Sequence, residues 1–176
     1  MKKIVTLIIA FVLSAVAFAQ EDTYVEDVKK CIKSNGTCAY YENVVDQMFT
    51  MLEKQYASQE VPVSVWDELK TLKESSLEDL GQIIVSAYRT HFTHQDVKNM
   101  NRLYATQAGQ KMFKSENELT GGDKEVLTEF YRSDTGQKIT GSQDSMNVAM
   151  SEISKMWSSN FYKTVVEKLS EKGFNL

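Results

Sequence analysis

Proline is nearly absent from this 176-residue chain, which has one, and glycine numbers only eight. A fold built from many tight turns is thereby excluded, and long helices are favoured. Cysteine is equally scarce. Cys31 and Cys38 are the only two, with six residues between them, so the Cys-x-x-Cys redox motif and a cysteine-rich zinc cluster are both missing. The two histidines, His91 and His94, straddle an expected helix boundary with no Glu-x-x-His motif beside them, so no metal site is assigned. Nor does any Ser-His-acid or Cys-His arrangement provide a nucleophile. Positive charge is in deficit, with 20 Lys and Arg against 24 Asp and Glu, which argues against nucleic acid or an anionic membrane surface as partner. Carboxylates such as Glu78 and Asp79 read as solvated helix faces rather than acid/base pairs. No catalytic residue and no cofactor follow from the composition.

Long apolar runs are lacking as well, with one exception. Lys2-Lys3 is followed by an apolar run from Ile4 to Val16, broken by Thr6 and Ser14, and then by the small-x-small triplet Ala17-Phe18-Ala19. This is the three-part plan of a secretory signal peptide, and the run falls short of the roughly 20 apolar residues of a spanning helix. Residues 1–19 are expected to be removed before Gln20, leaving 20–176 as an exported, soluble domain in the periplasm or outside the cell, with no membrane span. Removal takes two lysines and leaves 18 basic against 24 acidic residues, a formal charge of about −6. A remainder of that length is enough to bury one core.

What is present reads as helix. Capping-box spacings, in which a Ser or Thr accepts an amide and an acid three residues on reaches back, occur at Thr23-x-x-Glu26, Ser64-x-x-Asp67, Ser76-x-x-Asp79, Thr93-x-x-Asp96 and Thr120-x-x-Asp123. The pattern predicts a first helix from Thr23 to about Lys33, stopped by Ser34-Asn35-Gly36. A second runs from Thr37 to about Tyr56 and buries Tyr41, Val44, Val45, Met48, Met51 and Leu52. After a loop at Ala57–Pro62, helices are expected to open at Ser64 and Ser76. Beyond Ser133, apolar positions from Ile139 to Leu169 predict one long terminal helix towards Gly173, with Gly141 as a weak point costing about 1 kcal/mol relative to Ala. The class is all-α: a single-domain helical bundle, with N-terminal helices over 20–87 and a repeat-containing region over 88–173.

That region holds the most informative pattern. Tyr104-Ala-Thr-Gln-Ala-Gly109-Gln110-Lys111 recurs 27 positions later as Tyr131-Arg-Ser-Asp-Thr-Gly136-Gln137-Lys138, and the register extends back to pair Phe92-Thr93 with Leu119-Thr120 and Asp96 with Asp123. A duplicated helix-break-helix unit is expected. Thr106 and Ser133 stand where each unit's second helix would be capped, which places Gly109 and Gly136 in its opening turn. One reading has the Tyr104 and Tyr131 rings fold over these glycines so that two helices cross closely. The other is an anion site, formed by free amides beside Gln110 and Lys111 or Gln137 and Lys138. Neither repeat offers the longer glycine-rich run of a phosphate loop.

Phe92-Thr93-x-x-Asp96, Leu103-Tyr104 and Gly109-Gln110-Lys111, with their echo in the second unit, resemble the bacterial domain of unknown function 2059 over roughly Tyr88 to Leu169. The resemblance implies an exported helical bacterial protein and carries no catalytic assignment. A proline commonly follows the capping Ser or Thr in that family; Gln107 and Asp134 stand there in this chain.

Export places Cys31 and Cys38 in an oxidising compartment, and a structural disulfide across the Asn35-Gly36 turn is expected. Met146, Met150, Met156, Trp157 and Phe161 form a soft apolar face on the terminal helix, read first as core and second as a groove. The functional expectation is a non-catalytic interaction or accessory module with a protein partner. The alternative is a carrier of a small apolar ligand or lipid, held between the terminal helix and the paired repeat helices. A hydrolase has the least behind it.

Overall fold

The computed structural model describes residues 23–114 and 116–175, so the leader expected at 1–19 and its cleavage point lie outside the described residues. Every regular element among those described is helical. Residues 23–34 form α1, whose Tyr24, Val28, Cys31 and Ile32 recur on one face and are buried. Asn35 and Gly36 end it. Gly36 adopts φ 84°, the left-handed region open to glycine, and the Asn35 side chain accepts the Thr37 N–H at 3.1 Å to start α2 (Thr37–Gln55).

The buried face of α2 is Tyr41, Val45, Phe49 and Leu52, while Met51, expected in the stripe, is turned outward. A short 3-10 turn (Ala57–Gln59) leads to α3 (Val63–Lys70). Ser64 does not cap α3. Pro62 precedes the first turn, and its carbonyl accepts the Val65 N–H at 3.0 Å, since the fixed proline φ already suits a helix start. Nor does Ser76 open the next helix. Thr71 keeps helical angles, so α4 (Leu72–His91) begins earlier and Ser76 lies inside it, where its carbonyl accepts the Trp157 indole N–H at 2.9 Å.

The repeat region contributes α5 (His94–Tyr104), α6 (Gln107–Met112), α7 (Gly121–Arg132) and α8 (Asp134–Gly141). The expected terminal helix divides at Ser142, and α9 (Gln143–Glu171) is a separate long rod. The break falls beside Gly141, where helix propensity is weakest, and releases α9 to lie along α4.

Ile153, Trp157, Phe161, Val165 and Leu169 recur every four residues on α9 and are buried. Trp157 meets Tyr41 edge-on at 5.4 Å and stacks on Phe161 at 6.0 Å, and Phe161 meets Phe49 at 6.0 Å, so an aromatic ladder ties α9 to α2. The Met-aromatic stripe divides accordingly. Met146 and Met150 pack against the core, while Met156 is 50 % exposed.

The disulfide expected between Cys31 and Cys38 is absent, and both are free thiols. Cys31 sits on the core face of α1 with no solvent exposure, its Sγ 3.9 Å from the Tyr88 hydroxyl and 3.9 Å from Met100 Sδ. Cys38 lies past the turn, half-buried in the first turn of α2. Titration of thiols in denaturant without reductant is expected to count two per chain.

Candidate functional site

The two repeat units answer each other through charge. At the start of α5 the Thr93 hydroxyl accepts the Asp96 N–H at 3.3 Å, and Asp96 Oδ2 accepts the Thr93 N–H at 2.9 Å and its hydroxyl at 2.6 Å. At the start of α7, Thr120 and Asp123 repeat the box with distances of 3.2, 2.9 and 2.8 Å. Each capping carboxylate then receives a lysine from the other unit. Lys111 of α6 donates to Asp123 Oδ2 at 2.8 Å, and Lys138 of α8 donates to Asp96 Oδ2. The exchange relates the units by a pseudo-two-fold, and a shallow groove between α5 and α7 reports the same relation. Along it, Arg102, Leu103 and Thr106 occur together with their register equivalents Glu129, Phe130 and Ser133.

The clasp is not equal on both sides. Asp96 is 5 % exposed, and its second oxygen accepts the Thr135 hydroxyl at 2.9 Å, which in turn accepts the Asn99 amide at 2.8 Å. Ala108 and Val126 hold the equivalent positions in the other half and have no such groups. Burial works to raise the Asp96 carboxyl, but hydrogen bonds from Lys138, Thr93 and Thr135 outweigh it and hold the group at about 2. Lys111 and then Thr120 hold Asp123 at about 2.

Glycine makes the return of each second helix possible. The Gly109 N–H donates to Thr106 Oγ1 at 3.0 Å and the Gly136 N–H to Ser133 Oγ at 3.2 Å, so the third amide of α6 and of α8 is already used. A Cβ on Gly109 would stand 2.1 Å from the Leu103 carbonyl oxygen, and one on Gly136 would stand 2.2 Å from that of Phe130 and 2.4 Å from Tyr131 Cα. The close neighbours are main chain, not the tyrosine rings expected there. The Tyr104 ring meets Phe113 edge-on at 5.0 Å, and the Tyr131 ring lies against Phe130 at 5.6 Å. Gln137 donates to the Tyr131 carbonyl at 2.7 Å, and Gln110 is exposed. The anions that Lys111 and Lys138 face are the protein's own carboxylates.

A second feature lies between α1, α2 and α4. An apolar cleft of about 330 Å³ is walled by Ile32, Cys38, Tyr41, Leu77, Leu80 and Ile84. Gly81 lines it from the middle of α4 and is buried, yet no atom stands within 4 Å of the place a Cβ would take. Neither a positive φ nor a close helix crossing explains this glycine, which costs α4 about 1 kcal/mol against alanine. Its missing side chain widens the cleft. At the rim, Lys29 of α1 pairs with Glu78 of α4 at 2.6 Å, and Lys33, Glu42 and Glu74 complete the charges. Burial and then the Glu42 carboxylate push the Cys38 thiol up, against Lys33, so this wall presents a neutral thiol.

Residues 78–126 match the model of DUF2059, described as an uncharacterized protein conserved in bacteria. The match ends inside α7, so the DUF2059 segment holds the whole first unit and the Lys111–Asp123 half of the clasp, but not Lys138. The match begins before Tyr88 and stops at Val126, short of the Leu169 to which the likeness was expected to run. No curated protein and no solved structure matches the chain.

The DUF2059 segment also contains both histidines. His94 Nε2 lies 2.7 Å from Asp27 Oδ2 and the His94 ring meets Tyr24 edge-on at 5.5 Å, whereas His91 tilts against Phe92 at 6.2 Å at the end of α4. Among the described residues, no group of three or more His, Cys, Asp and Glu is set to hold a metal, and no helix is long and apolar enough to cross a membrane. Reading the sequence for function passed over Gly81. Its signal was a glycine in the middle of the regular apolar series Leu77, Leu80, Ile84, Tyr88.

Proposed function

We propose that the protein is an exported, non-catalytic interaction or accessory module, a single helical domain that acts by binding. The reciprocal clasp carries this reading. The repeat's lysines, carboxylates and capping hydroxyls are bonded to one another, so the most chemically suggestive residues of the chain brace four helices rather than face a substrate. The leader-like N-terminus supports export, to the periplasm or outside the cell. A second reading, carriage of a small apolar ligand, is favoured by the Gly81 cleft, which lies between α1, α2 and α4 rather than beside α9 and the repeat helices. Native mass spectrometry of protein isolated from its own compartment is expected to find a protein partner or a small ligand bound. A bare monomer at every concentration counts against both readings.

A further inference from the structure

The geometry points to the cleft between α1, α2 and α4 as a binding site for a small cationic amphiphile, with its apolar part over Gly81 and its positive group at Glu42 and Glu74. The inference rests on the ligand-carrying reading above and gives that ligand a place and a chemistry. A close-packed interior tolerates few voids, and filling this one looks easy. A Cβ at position 81 would meet no atom within 4 Å outside the backbone of α4, so a methyl group would fit without strain and raise the helix propensity of α4, and a larger side chain would fill part of the void and add packing. The fold forgoes both gains at a buried position that opens on apolar walls. At about 330 Å³ the space sits at the small end of the ~300–1,000 Å³ range of ligand pockets, so the ligand's apolar part is short.

The rim selects the sign of the head group. Lys29 is occupied by Glu78, which also accepts the Gln82 amide at 3.2 Å. Of the remaining charges, Glu42 on α2 and Glu74 on α4 outnumber Lys33 and have no ion pair among the described residues. Two carboxylates, one on α2 and one on α4, on a chain that is acidic overall, attract a cation and repel an anion. The neutral Cys38 thiol adds no competing charge and offers a reporter, because Cys31 is fully buried and will not react in the folded protein.

Decyltrimethylammonium and decyl sulfate, each below its micelle concentration, share an apolar chain and differ in head charge. Added to the protein as isolated from its producing cell, the cation is expected to bind once per chain and to slow alkylation of Cys38 by iodoacetamide about tenfold, with decyl sulfate much weaker. Gly81→Leu is expected to melt at or above the wild-type temperature and to lose the protection, with Gly81→Ala intermediate. Glu42→Gln combined with Glu74→Gln is expected to weaken the cation several-fold and, by removing the repulsion, to strengthen decyl sulfate. Equal binding of the two probes overturns the charge assignment and leaves the ligand-carrying reading standing. Undiminished protection in both Gly81 variants, or no protection by either probe, overturns the cleft as the site. The interaction reading is judged apart from these results, by what the protein carries from its own compartment.

Discussion

Gly109→Ala and Gly136→Ala are each expected to lower the melting temperature by about 6–12 °C, corresponding to roughly 3 kcal/mol of overpacking in a chain of this size. The added carbon would stand 2.1 Å from the Leu103 oxygen in one case and 2.2 Å from the Phe130 oxygen in the other. A flexible side chain would swing away from such a contact, but these are backbone atoms in the last turn of a helix. To admit the methyl group, α6 or α8 must lift from its partner helix, and the lysine it carries then moves off its aspartate. One substitution thus costs both packing and clasp. The two are expected to cost similar amounts, because the residue before each glycine is buried, Ala108 at 3 % and Thr135 at 2 % exposure, and both clashes are with main chain. Gly141→Ala is the control: nothing lies within 4 Å of its Cβ position, and it is expected to leave stability unchanged or raise it by up to about 1 kcal/mol. Thermal unfolding followed by circular dichroism separates the pair from the control, and wild-type melting of both Gly109→Ala and Gly136→Ala would sink the argument.

Asp96→Asn is expected to cost about 2 kcal/mol at neutral pH and to remove part of the acid sensitivity of the fold. The carboxyl titrates at about 2 in the folded protein against an ordinary 3.8. A depressed folded value means that the charged form is the stabilising one. Its contribution is fully present above about pH 4 and is lost as pH falls from there through about pH 2. Stability measured by denaturant titration between pH 2 and pH 7 should therefore fall less steeply at the acid end in Asp96→Asn than in wild type. Asp123→Asn acts in the same direction with a smaller effect, because Ala108 stands where Thr135 supplies Asp96 with a further hydroxyl. Equal acid slopes in wild type and Asp96→Asn would contradict the clasp.

The boxes at Thr93 and Thr120 were legible because the acid that completes each lies three residues away on the same helix. The same spacing misled at Ser64 and Ser76. There Pro62 and the helical Thr71 set the helix starts, and the serines fell inside. In α2, Tyr41, Val45, Phe49 and Leu52 keep a strict helical face, and Met51 belongs to the next strip round. Capping and periodicity are local, which is why the helices could be read. The clasp joins Lys138 to Asp96 across 42 residues, and nothing in either unit alone says which carboxylate its lysine will meet. The cysteines show the converse: short separation suggested a bond, but rotation along α1 committed Cys31 to Tyr88 and Met100. The cleft escaped notice because it is built from a missing side chain, and periodicity counts only those present.

The exchange of lysines also fixes how finely this chain can be divided. A fragment ending at Val126, where the recurring family segment stops, keeps Lys111 with Asp123 but strands Asp96 without its cation. A cut between α6 and α7 severs both pairs at once. Neither unit by itself keeps both pairs, so duplication of the sequence produced one jointly braced body in place of two independent copies.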